Sequence, residues 1–110
     1  MAVLKRDNNR IPLTGSAGVT PDITNTTLTN ANTEYLVTLP VDTYKLGFQN
    51  RNNNAMRFAF VTGKVATPTA PYFTLKAGDF YYEDNILLSG ATIYFASANA
   101  GDIVEMVTWA

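Results

Sequence analysis

TYKLGFQNRNNNAMRFAFVT, residues 43–62, is two runs of alternating side chains around a polar centre. Leu46, Phe48 and Asn50 fall on one face of the first run. Met56, Phe58 and Phe60 fall on one face of the second. Between them Arg51-Asn52-Asn53-Asn54 is an Asn-rich loop, and asparagine tolerates left-handed backbone angles and bonds to its own main chain. Alternation of period two, a turn, and alternation again predicts a β-hairpin. Its apolar face needs a second layer to cover it.

Working outward over residues 34–110, the pattern stays β. Tyr35 to Leu39 is a short apolar strand stopped by Pro40, which has no N–H to donate to a ladder. Gly63 closes the hairpin, and residues 64–71 (KVATPTAP) form a loop stiffened by Pro68 and Pro71. Tyr72–Leu75, Phe80–Glu83, Ile86–Leu88, Thr92–Ser97 and Ile103–Trp109 read as strands between turns at 76–79, 84–85, 89–90 and 100–102. No window of ten residues has helical spacing with caps, and parallel sheets would need crossover helices. Residues 34–110 are therefore expected to be an all-β, antiparallel β-sandwich, jelly-roll-like. Phe73, Phe80 and Phe95 form the expected inward set. Tyr72, Tyr81, Tyr82 and Tyr94 fall beside it or out of phase, and are candidates for the surface or a subunit interface. Trp109 reads as either a surface ring or a plug between sheets.

Working toward the N-terminus, the composition changes. All thirteen aromatic residues lie at or after Tyr35, and residues 1–33 are Thr, Asn, Ser and Gly around isolated aliphatics. Such a segment buries too little to offset its ordering entropy. It is expected to be an extended N-terminal arm, ordered on a neighbour, where its Thr and Ile residues suit an added edge strand. Its basic tip, Lys5, Arg6 and Arg10, and its aliphatics Ile23 and Leu28 are the candidate partner contacts.

A chain of 110 residues reads as one domain. With no cysteine and no histidine, the common nucleophilic thiol, the usual general base and the usual transition-metal ligands are missing. A net charge of −1 with 15% charged residues argues against a nucleic-acid partner held by a broad positive field. MAVLKRDNNR lacks the apolar run of a signal peptide, and no stretch is long enough to span a bilayer, so a soluble protein is expected. Asp79, Glu83 and Asp84 cluster near a turn, as calcium ligands or a glycosidase pair would, yet they lack EF-hand spacing and read as solvated turn residues. Ser16, Ser89 and Ser97 sit in no nucleophile-elbow motif. Gly15-Ser16-Ala17-Gly18 lacks the lysine of a phosphate loop, and Asn25-Thr26-Thr27 is a bare glycosylation sequon. The expectation is a non-enzyme without metal or cofactor. Tyrosines 72, 81, 82 and 94 beside Asn52–Asn54 leave a carbohydrate-binding module for host attachment as the alternative.

One resemblance adds to this reading. The strand ending in Leu39-Pro40, the run into Gln49-Asn50-Arg51, and Arg57-Phe58-Ala59-Phe60 form its first part. Its second part is Tyr72-Phe73-Thr74-Leu75-Lys76-Ala77-Gly78, Glu83-Asp84, Thr92-Ile93-Tyr94-Phe95 and the closing Ile103-Val104-Glu105. In order and style these resemble small virion proteins of tailed bacteriophages, of the capsid decoration or cement type, over the last two thirds of the chain. The resemblance implies a structural protein on the capsid exterior, present in host cytoplasm during assembly, that ties subunits of the major capsid protein together as a homotrimer. A head–tail or tail-tip component is the variant of that reading.

Overall fold

A computed structural model describes residues 20–84 and 90–110 of the chain. Eight strands appear in this order: β1 Pro21–Leu28, β2 Tyr35–Thr38, β3 Lys45–Asn50, β4 Met56–Ala59, β5 Phe73–Leu75, β6 Phe80–Glu83, β7 Thr92–Ala96 and β8 Asp102–Trp109. They form two four-stranded sheets, β1-β8-β3-β6 and β2-β7-β4-β5, with every neighbour antiparallel. The pairing is nested: β1 with β8, β2 with β7, β3 with β6 and β4 with β5. Lateral pairs β3–β8 and β4–β7 then join these four ribbons into two layers. The all-β antiparallel sandwich read from the sequence is what the chain adopts. The expected strand at Ile86–Leu88 lies outside the described residues.

The stretch 43–62 makes two strands, but they are not a hairpin. β3 bonds to β6 and β8, β4 bonds to β5 and β7, and the two lie in opposite layers. Residues 51–55 are a corner between sheets. Asn53 takes the left-handed conformation at φ 59°, and its N–H donates to the Asn50 carbonyl at 3.3 Å. The alternation did locate the buried faces. Leu46, Phe48 and Asn50 point inward from β3, and Met56 and Phe58 point inward from β4. The two apolar faces meet each other across the core, where the Phe48 and Phe58 rings pack edge to face at 4.9 Å. A corner satisfies the demand for a second layer that a hairpin would have left open.

A second correction concerns the arm. Residues 21–28 pair along their whole length with β8 of the same chain, from Pro21 opposite Trp109 to Leu28 opposite Asp102. Leu28 is fully buried in the main core cluster. The expected boundary at 33/34 therefore falls inside the folded unit, and β1 is an edge strand of its own sandwich rather than of a neighbour's. Low aromatic content misled here: an edge strand needs one good inward side chain and a ladder of backbone bonds, both of which this polar segment supplies.

The core joins both layers: Leu28, Leu46, Phe48, Val104 and Met106 from one, and Met56, Phe58, Leu75, Ile93 and Phe95 from the other. β8 shows the cleanest pleat, with Asp102, Val104, Met106 and Thr108 buried and the residues between them half-buried. Phe48 lies at the centre, with Phe58, Phe95 and Tyr81 at 4.9, 5.0 and 5.1 Å. Phe80 and Tyr81 are opposite to expectation. Phe48 registers with Tyr81 and Gly47 with Tyr82, so Tyr81 enters the core and Phe80 turns out to the surface. An unbroken aromatic run carries no phase of its own, and a shift of one residue exchanges the faces. Trp109 is no inter-sheet plug: it lies on the outer face of its sheet with the Lys45 ammonium 4.8 Å above its ring.

Candidate functional site

Three regions have chemistry beyond plain packing. The first is the long side of the sandwich where β5 and β6 are the edge strands of the two sheets. All five strongly exposed aromatic side chains, Phe60, Tyr72, Phe73, Phe80 and Tyr82, belong to these strands or to the segment between β4 and β5. Phe73 is on the inward phase of β5, alongside buried Leu75, and its ring touches Phe58 at 5.0 Å. It is nevertheless 54% exposed, because among the described residues no further strand covers this side. Phe60 follows the last residue of β4 and packs edge to face on Phe58 at 6.1 Å. A groove of about 300 Å³ opens here, floored by Phe58 and Tyr81 and walled by Phe60, Pro71, Tyr72 and Phe73, with no charged side chain in its lining. Tyr82 and Phe80 turn from the same edge onto the outer face of the first sheet. There the Phe80 ring covers Gly47 so closely that a Cβ at that position would sit 2.4 Å from its Cζ.

The second region is a more polar groove of about 410 Å³ at the loop end of the second sheet. Its polar lining is Asn53 and Asn54 of the corner, Arg57 of β4, Thr74 of β5 and Asn99 of the β7–β8 turn, with Tyr72 on one wall. Arg57 is held from two sides: Nε donates to the Val65 carbonyl at 2.7 Å and Nη2 to Asn32 Oδ1 at 2.9 Å. The segment after β4 thus folds back over the sheet, and fully buried Val65 packs on Ala59 and Ala96, with Tyr94 against them.

The third region is a buried carboxylate. Asp102 is 2% exposed and accepts from Ser97 Oγ at 2.6 Å, Asn50 Nδ2 at 2.9 Å and Asn54 Nδ2 at 3.0 Å. Asn50 Oδ1 accepts from the Asn52 N–H, and Asn52 Oδ1 accepts from the Ile103 N–H. Burial alone would raise the carboxyl's pKa, but the three donated hydrogen bonds outweigh it and hold the group below the ordinary aspartate range. Its hydroxyl neighbour, Ser97, is itself fully buried. The network is a peg joining the corner to the β7–β8 turn, and it explains why an Asn-rich loop leads into β4.

The remaining expected residues separate. Tyr72 lies between the two grooves, Tyr81 is packed against the core, Tyr82 is exposed and Tyr94 is half-buried under the Val65 segment. Tyr81 donates to Glu83 Oε2; burial first, then that bond and the carboxylate's charge, push its hydroxyl up to about 12. Ile23 is exposed on the outer face of the first sheet, in a shallow groove with Val107 and Phe80. Leu28, expected to touch a partner, is a core residue and unavailable for that. Lys5, Arg6 and Arg10 lie outside the described residues. Among the described residues no three carboxylates come together to hold a cation, and Glu83 is engaged by Tyr81.

Sequence reasoning missed Phe60, Phe73 and Phe80 as surface groups and Arg57, Asn99 and Asp102 as organised polar ones. Only Asp102 left a signal, as an aspartate in phase with the apolar inward residues Val104 and Met106 of its strand. No family model, curated protein or solved structure matches this chain. The residues themselves carry the functional argument.

Proposed function

We propose that this protein is a phage structural protein, a capsid decoration or cement protein. In that reading it binds the major capsid protein on the capsid exterior as a symmetric homotrimer and does no chemistry of its own. The nested strand pairing is read as a jelly-roll wrap, a scaffold that displays surfaces rather than reactive groups. The observation that carries the proposal is the aromatic edge with its uncharged groove. Five half-exposed rings offer on the order of 500 Å² of apolar area, comparable to the largest patch of an ordinary monomer, which is often functional. With a polar rim this approaches the roughly 800 Å² that each partner contributes to a standard stable interface. Copies arranged around closed symmetry would turn modest contacts with a shell into high avidity.

The test is binding to emptied, expanded phage heads. The wild-type chain is expected to co-sediment with them and raise their melting temperature, because a partner that binds only the assembled state stabilises it by mass action. A Phe60→Ser/Phe73→Ser variant should stay folded and lose both effects. A monomeric wild type without affinity for heads would end the proposal.

A further inference from the structure

We infer that the polar groove between the asparagine corner and Tyr72 is a saccharide-binding site, which shares only Tyr72 with the apolar groove of the aromatic edge and is independent of the capsid reading. A sugar ring presents an apolar C–H face and a rim of hydroxyls, each both donor and acceptor. A matching site needs a flat ring, small apolar neighbours and polar groups of both senses, held still. This groove has them. Tyr72 supplies the ring, and Met56 and Pro68 supply apolar wall. The side-chain amides of Asn53 and Asn99 each offer donor and acceptor together, and with the hydroxyls of Thr74 and Tyr72 they make no hydrogen bond within the chain among the described residues.

Rigidity comes from the surroundings rather than from a ligand. Asn53 belongs to the corner pinned by Asn50, and the Asn50 and Asn54 side chains are pinned in turn by Asp102. The Asn99 N–H donates to Ser97 Oγ, which itself donates to Asp102. Arg57 is fixed by Val65 and Asn32. The backbone that carries both amides is thus held, and only their side-chain rotamers are left to order on binding. The charge pattern narrows the ligand class. The lining has one cation and no carboxylate, too little positive charge to grip a phosphodiester chain and nothing to attract a basic peptide. It accepts neutral or carboxylate-bearing sugars, which share the polyol chemistry the site reads.

The experiment is an NMR titration of the ¹⁵N-labelled full-length protein with maltohexaose, chitohexaose and tri-galacturonic acid. At least one probe is expected to shift the Asn53 and Asn99 side-chain amides saturably while Asn25 and Asn30 stay in place; whether the neutral or the acidic probe does so identifies the sugar type. Tyr72→Ala and Asn53→Gly, the latter keeping the left-handed backbone of the corner, should each weaken binding about tenfold, the loss of one ring or bidentate contact, with the melting temperature little changed. Phe73→Ser, which disables the aromatic edge, should leave the titration as it was. The inference is overturned if none of the three probes moves Asn53 or Asn99, or if the shifts persist undiminished in Tyr72→Ala.

Discussion

The asparagine corner and the aromatic edge treat their awkward atoms in opposite ways. At the corner a buried carboxylate and its asparagine and serine neighbours find their partners inside the chain. At the edge, rings continuous with the core through Phe58 and Tyr81 are left in water. An unpaired buried polar group costs about 1–3 kcal/mol, a large share of a small domain's stability, so the corner is completed within the chain. An exposed ring costs the folded state little and gains only when another surface covers it. The corner therefore serves the fold, and the edge is free to serve an interaction.

The comparison can be broken at several points. The largest effect is expected from deleting residues 2–33, which removes β1 and the core residue Leu28. Far-UV circular dichroism should show loss of the β spectrum, whereas retained structure would restore the arm as a dispensable segment. Next, Asp102→Ala leaves the Asn50, Asn54 and Ser97 donors without their acceptor. A loss of about 2–4 kcal/mol is expected in urea unfolding; a change under about 0.5 kcal/mol, the range of a surface site, would show that the corner does not hold the fold. The same carboxylate sets an acid limit. Its folded pKa lies below its unfolded one, so its contribution is complete above about pH 4 and is lost as pH falls through the lower folded value. The gap in melting temperature between wild type and Asp102→Asn should narrow in that window.

The edge should respond less. Tyr81 has a folded pKa raised to about 12 from 10.0. The stability tied to its protonated form is complete below the ordinary tyrosine value and disappears as pH rises through the folded one. In tyrosinate absorbance it should ionise last, and Tyr81→Phe should remove that late step. The smallest effect on folding is expected from Phe73→Ser: about 1 kcal/mol or less in the isolated chain, together with loss of the proposed self-association in analytical ultracentrifugation. A large drop in stability with unchanged association would make Phe73 a core residue and not a contact.

Much of this was legible in residues 34–110. Pro40, Gly78 and Gly101 mark ends of strands where the chain turns; Gly78 and Gly101 adopt φ 83° and 85°, a conformation that suits glycine. The alternation of Leu46, Phe48 and Asn50 located an inward face correctly. Phe80 and Tyr81 were not legible, since three aromatics in a row suit either face equally. Nor was the partner of β1, because a polar strand looks like a tail until β8 is beside it. Of the polar groove, Tyr72 and the Asn52–Asn54 run were visible as candidates. Arg57 and Asn99 were not, because the orientation of Arg57 depends on Val65 and Asn32 and the turn carrying Asn99 comes near only in the folded chain.

Residue types and their period of two are local properties, so the chain alone determined that it is all-β, where most of its strands begin, and that its described core would be aromatic and without thiols or imidazoles. Which strands pair, which face of β6 turns inward, and which side of the sandwich is left uncovered depend on contacts between residues far apart in sequence. Those contacts exist only after the layers close. The tertiary structure alone therefore decided that the asparagine loop is a corner and that the uncovered side is aromatic.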